Sequence, residues 1–140
     1  MIVAGGAKVI PLTVSGGRSG VSGAAIPARG GVVLDTTSMR GVVDVDVTSG
    51  VVHVRPGTFG PDLEAEIASH DLSVGHFPQS FELSTVGGWI AARGAGQFST
   101  RYGKIDDMVV ALEVVLADGR VIQTGGAPAG ADGPDLVSLF

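Results

Sequence analysis

Two stretches rich in glycine and hydroxyl side chains hold the residues best suited to chemistry in this chain. The longer runs from Pro78 to Gly103 and sets Ser84 and Thr85 directly before a glycine pair, Gly87 and Gly88. A helix-compatible run, Trp89 to Arg93, follows, and then Gly94 and Gly96. By residue type this is a loop of backbone N–H groups and hydroxyls feeding a helix start. Unpaired donors there, with the positive end of the helix dipole behind them, attract anions. Glycine lets the backbone approach a ligand closely. Alone, the stretch fits equally a Gly-rich turn capping a core helix. The shorter stretch, Ser15-Gly16-Gly17-Arg18-Ser19-Gly20, offers successive amides plus hydroxyls, a concavity that suits phosphate oxygens. Two such loops, about sixty residues apart, suit a long diphosphate ligand gripped from both sides.

Several common sites are excluded. The G-x-G-x-x-G dinucleotide pattern is absent: after Gly94 and Gly96, Ser99 stands where the third glycine belongs. Gly103-Lys104 is followed by Ile105, so there is no P-loop. No G-x-S-x-G elbow frames Ser19 or Ser22, and no H-E-x-x-H occurs. The three histidines, His53, His70 and His76, lack ligand spacing. His76, beside Phe77-Pro78, reads as a loop residue with one satisfied nitrogen and receives no catalytic role. Arg93 is assigned to phosphate contact, whereas Arg101 reads as surface charge.

The elements that must position these loops are short. Lys8 to Val14 reads as one buried strand, with Pro11 near an edge or bend. Val32 to Leu34 is another, ended by Asp35. In Val42 to Arg55, Val43, Val45 and Val47 alternate with Asp44 and Asp46, the period of a half-buried strand, and Ser49-Gly50 supplies a turn. A two-residue loop there predicts Asp46 opposite His53, Asp44 opposite Arg55, and Val45 and Val47 opposite Val54 and Val52. The acids then lie on a solvated sheet face and are not a catalytic pair. Gly60-Pro61-Asp62 starts a helix to about Ser69, with Leu63 and Ile67 on one face. Asp118-Gly119 turns a second hairpin, Val109–Leu116 against Arg120–Thr124, expected to be buried on both faces. Gly125 to Gly133 reads as a linker or loop. The mixed order argues for an α+β fold over a doubly wound sheet.

Bulk properties agree. A chain of 140 residues is one domain with room for a core. A net charge of -5 argues against a nucleic-acid surface. Zero Cys removes disulfides, thiolate metal sites and any Cys-linked cofactor. No apolar run approaches the roughly 20 residues a bilayer needs. No basic stretch followed by an apolar one opens the chain, and a cytoplasmic location is expected. Both ends read as cut: Ile2-Val3 is already apolar, and Leu136 to Phe140 starts an apolar segment that stops. A fragment of a larger domain is the expectation.

The runs GGRSGVSGAAIP (Gly16 to Pro27) and PQSFELSTVGGWIAARGAG (Pro78 to Gly96), with Tyr102-Gly103 and the Asp118-Gly119 hairpin, resemble the FAD-binding (PCMH-type) domain of the vanillyl-alcohol oxidase / p-cresol methylhydroxylase flavoproteins. The second run most resembles the alkyldihydroxyacetonephosphate synthase branch and its bacterial FAD-linked oxidase relatives. The likeness covers nearly the whole chain. It implies two α+β subdomains, one with a short parallel or mixed sheet and one antiparallel with flanking helices, and FAD between them. It implies that the first loop, Val14, Ser15, Gly16, Gly17, Arg18, Ser19 and Gly20, wraps the FAD pyrophosphate. Gln79, Ser80, Phe81, Glu82, Leu83, Ser84 and Thr85 would lie along the cofactor, and Ala92, Arg93, Gly94 and Ala95 would touch it. No catalytic residue and no metal ligand is expected in this piece, because the family's substrate pocket and catalytic acid or base sit in a separate cap domain.

Three departures from the family pattern follow. Arg18 stands where the family usually has a third glycine; its side chain could block close approach, or turn outward to a phosphate. Ser19 stands where some members carry the His that attaches flavin, which with the absence of Cys implies non-covalent FAD. The chain ends at Phe140, where the family places another Gly-rich flavin loop. Residues 1–140 are therefore expected to be one FAD-binding domain, incomplete at both ends and without a cap. The expected whole is an FAD-linked oxidoreductase. The alternatives are an FAD-dependent 2-hydroxy-acid dehydrogenase fragment and a non-catalytic piece with little FAD affinity. The expected partners are FAD and either the remainder of the enzyme or a second copy of the chain.

Overall fold

The computed structural model describes residues 2–4, 8–125 and 136–140, with side chains from residue 9 onward. Among them the chain forms an α+β fold of four two-stranded sheets and short helices. β1 (Ile2–Ala4) and β2 (Lys8–Ile10) pair antiparallel. Pro11 separates β2 from β3 (Leu12–Ser15), so the single strand expected over Lys8–Val14 is two. Proline lacks the ladder donor that would continue it. β3 runs parallel to β4 (Val32–Asp35), with Ser15 opposite Asp35 where both strands end. The first glycine-rich loop thus leaves the carboxyl end of a parallel strand, where open α/β sheets place their ligands.

β5 (Val42–Asp46) and β6 (Val51–Val54) form the expected hairpin in a different register. Asp44 faces His53, Val45 faces Val52 and Asp46 faces Val51, so the predicted Asp46–His53 and Asp44–Arg55 pairings are corrected. The cause is the turn. The Asp46 carboxylate accepts from the Ser49 hydroxyl (2.6 Å) and the Thr48 amide (2.9 Å), and the Gly50 amide closes on the Asp46 carbonyl (2.9 Å). These bonds stabilise a four-residue turn over 47–50 in place of a two-residue one. A bulge between Val42 and Asp44 then puts Val42 and Val45 inward and leaves Val43 exposed.

α1 (Gly60–Ala68) carries Pro61 in its first turn and buries Leu63 and Ile67, each 2% exposed. These two residues are one turn apart on one face. They join Val86, Trp89 and Ile105 in the core, with Val42, Val45, Val52, Val54 and Phe81 packed around it. Full burial of a Leu or Ile side chain contributes about 1.5–3 kcal/mol. A 3-10 turn (Phe81–Leu83) leads to α2 (Val86–Ala91), which begins three residues before the expected Trp89 and takes the glycine pair into its first turn. α3 (Ser99–Tyr102) and α4 (Ile105–Met108) follow.

β7 (Ala111–Val115) and β8 (Val121–Gly125) form the second hairpin around Asp118-Gly119. Its burial on both faces is corrected. Leu112, Val114 and Ile122 are half-buried and Thr124 is buried, while Ala111, Glu113, Val115 and Val121 are exposed. Glu113 pairs with Gln123 on that outer face (3.4 Å), a polar couple that marks it for water. Of the Gly125–Gly133 loop, all but Gly125 lies outside the described residues. No helix among the described residues is long and apolar enough to cross a membrane.

Candidate functional site

Residues 55–60 form the rail on which both glycine-rich loops are mounted. Thr58 is buried; its hydroxyl donates to the Arg55 carbonyl (2.7 Å) and accepts from the Gly41 amide (2.9 Å). The turn after β4 packs on Gly57, whose amide donates to the Met39 carbonyl (2.8 Å). From the other side, the Val86 amide donates to the Thr58 carbonyl (2.9 Å), the Gly87 amide to the Pro56 carbonyl (2.8 Å), and Phe59 bridges Thr85. Loops about sixty residues apart in sequence therefore meet.

The meeting is backbone on backbone. A Cβ on Gly17 would overlap the Leu83 carbonyl oxygen and lie 3.1 Å from the Ser84 Cα. A Cβ on Gly16 would overlap the Thr85 hydroxyl. Beyond this contact, among the described residues, the amides of Gly17, Arg18, Ser19 and Gly20 donate to no protein acceptor. Successive free amides of this kind form an anion-binding concavity. The Thr85 hydroxyl, 1% exposed, also lacks a partner. Free N–H donors on four successive residues are what an anionic cofactor's diphosphate requires, so these residues fit FAD.

The Arg18 side chain is 60% exposed, yet it is bonded within the chain. Its φ is 58°, in the left-handed region. Its Nε donates to the Ser15 Oγ (2.7 Å) and its Nη2 to the Asp35 carboxylate (2.9 Å). The Thr37 hydroxyl (2.6 Å) and amide (2.9 Å) take the other oxygen of Asp35. The Thr37 bonds, with the Arg18 charge adding to them, hold the Asp35 carboxyl below the usual carboxylate range. Ser15 is buried, Val14 and Gly20 are exposed and Ser19 is half-buried.

The second loop is more occupied than its composition implies. The first two amides of α2 are already bonded to Thr58 and Pro56, so the reading of a helix start with unpaired donors is corrected for Val86 and Gly87. Gly87 is glycine because a Cβ would lie 2.7 Å from that of Pro56, a packing reason and not a ligand one. Ser84 is buried and accepts the Trp89 indole N–H (2.6 Å) while donating to the Ser80 carbonyl (2.7 Å). Phe81 stacks on Trp89 (6.1 Å) and meets Phe77 (5.0 Å), which fixes the turn. Gln79, Glu82 and Leu83 stay exposed.

Ala92, Arg93, Gly94 and Ala95 sit at the far end of α2, about 9 Å from the junction for a six-residue helix. The exposed Arg93 guanidinium donates through Nη2 to the Ser138 carbonyl (2.6 Å). Arg101 lies over the Tyr102 ring (5.1 Å). His76 is 1% exposed, edge-on to Trp89 (5.0 Å), and neither ring nitrogen has a protein partner. The expected satisfied nitrogen is therefore corrected, and burial pushes its pKa below the ordinary imidazole value.

Asp35, Thr36 and Thr37 were not singled out in the sequence, yet they hold the first loop. Thr36 bonds the Ser15 carbonyl through its amide (2.9 Å) and hydroxyl (3.2 Å). The D-T-T run after a short strand, with its Asx-turn chemistry, was the available signal. Thr37 and Phe59 also line an open hollow with Ser38 and Arg40.

Comparison with known proteins agrees with this geometry. Residues 3–125 match the family model described as FAD binding domain. The FAD-linked oxidoreductase YgcU of Escherichia coli (strain K12) is 42% identical over 105 residues, covering 75% of this chain and 22% of its own. D-lactate dehydrogenase of Archaeoglobus fulgidus is 39% identical over 119 residues, covering 85% of this chain and 26% of its own. A solved structure of alkyldihydroxyacetonephosphate synthase superposes with a TM-score of 0.76 at 35% identity, over 86% of this chain and 23% of that one. The chain thus spans about a quarter or less of the relatives it matches. With the loop junction, the free amides and the family match in agreement, this chain belongs to the FAD-binding domains of the FAD-linked oxidoreductases.

Proposed function

We propose that the chain is the cytoplasmic flavin module of an FAD-linked oxidoreductase and holds FAD non-covalently at the junction of its two loops. The observation that carries this is the seat of Gly16 and Gly17 on Leu83 to Thr85, in a loop whose amides from Gly17 to Gly20 have no acceptor among the described residues. Gly17 to Gly20 would bind the diphosphate through their N–H groups. FAD supplies the redox chemistry when bound. The module's own part is to bind and orient it. Substrate-binding and proton-transferring groups belong to parts of the enzyme outside these residues.

One relative is named a D-lactate dehydrogenase, and a matched structure is a synthase. The chain matches both, so the 2-hydroxy-acid dehydrogenase reading stands beside the synthase-like one. The test is a titration of FAD with the chain, read as fluorescence quenching. Saturable quenching supports the module, and no quenching supports an inert piece. After acid denaturation the flavin should stay in the supernatant; a fluorescent band that travels with the denatured protein overturns non-covalent attachment.

A further inference from the structure

We propose that Arg18 is a positioning residue that straps the carboxyl ends of β3 and β4 together through Ser15 and Asp35, and so holds the Gly16–Gly20 loop in its ligand-ready shape without itself binding phosphate. The proposal rests on the FAD reading above and adds a role for a side chain where glycine would be the unstrained choice.

Arg18 is one of three non-glycine residues with positive φ among the described residues. An L side chain there is disfavoured because its Cβ crowds the following carbonyl. Such a conformation persists only where surrounding contacts over-determine it. Here the contacts are visible. Ser15 and Asp35 are the last register pair of the parallel ladder, and the guanidinium bonds both, at 2.7 and 2.9 Å. Thr37 clamps the other Asp35 oxygen, and the Thr36 amide closes on the Ser15 carbonyl. The loop is therefore tied on one side by Arg18 and pressed on the other against Leu83 and Thr85.

An isolated exposed ion pair is worth little. This one is anchored at both ends, and the planar fork of Arg loses less freedom per bond than a Lys would. It also has an electrostatic task. Asp35 is an anion at the mouth of a loop that would take another anion, and Arg18 neutralises it. A guanidinium committed to Asp35 and Ser15 has less to offer a phosphate, which separates bracing from direct binding.

Arg18→Ala keeps the Cβ, and with it the backbone strain, and removes the guanidinium with its methylene stem. Asp35→Asn keeps an acceptor for Thr37 and removes the charge. Each is expected to weaken FAD binding by about two- to fivefold, and the double variant to be no weaker than Arg18→Ala alone. In the free chain, each is expected to lower the thermal midpoint by about 2 °C, again without addition in the double. The brace is overturned if Asp35→Asn binds FAD as tightly as the parent or more tightly, which would mean a released Arg18 serves phosphate. Additive losses overturn it too. If the parent chain does not quench FAD, the flavin reading fails, and the midpoints decide the brace: silent or additive variants sink it, coupled ones support it.

Discussion

Gly17 rests with its Cα against the carbonyl oxygen of Leu83, and no side chain fits between them. Both partners are backbone, so neither can swing away. Gly17→Ala is therefore expected to lower stability by about 1–3 kcal/mol and to abolish saturable FAD quenching. Urea denaturation and flavin titration measure the two effects. A variant as stable as the parent would show that the loops do not touch in solution.

Gly20 is the contrasting case. Its φ is not positive, and a Cβ there meets nothing within 4 Å. Gly20→Ala should change stability by less than about 0.5 kcal/mol. Its FAD affinity should nonetheless fall, because the added methyl crowds the amide cradle. Unaltered affinity would move the ligand away from this end of the loop.

Ser84 carries the second loop through two bonds, one from the Trp89 indole and one to the Ser80 carbonyl. Ser84→Ala orphans a buried N–H and is expected to cost about 1–3 kcal/mol. Trp89 is the single tryptophan, so its emission spectrum reports directly on this site. An unshifted spectrum together with parent-like stability would contradict the arrangement.

His76 makes stability depend on pH. Its pKa is lowered in the folded state by burial, so the unfolded chain binds the proton more readily. Stability is then complete above the ordinary imidazole value of about 6.5 and falls as pH drops below it toward the folded value. Asp35, Asp46 and Asp118 are also lowered, but their contribution is present above about 3.8 and is lost only below it. Denaturation midpoints at pH 7.5 and 5.5 should therefore differ in the parent and converge in His76→Gln. A slope that survives the substitution would assign it to another group.

Local chemistry was legible wherever a few adjacent residues decide the outcome. Pro61 and Asp62 mark the start of α1, and the four-residue spacing of Leu63 and Ile67 marks its buried face. Asp118-Gly119 marks its hairpin. The β5–β6 register was not legible from the turn residues alone, because Asp46 caps a longer turn and Val43 bulges out. Both are side-chain choices between near-equal local conformations.

The sequence alone determined the α+β class, the two amide-rich loops and, through their residues, the resemblance to flavin-binding domains. Only the tertiary structure decided which donors remain free. Val86 and Gly87 lose theirs to the rail at Pro56–Thr58, while Gly17 to Gly20 keep theirs. It also turned Arg18 onto Asp35 and left His76 buried without a partner. The physical reason is that a hydrogen-bond donor's availability depends on what lies across space from it, and the residues across space here are seventeen to seventy positions away in the chain.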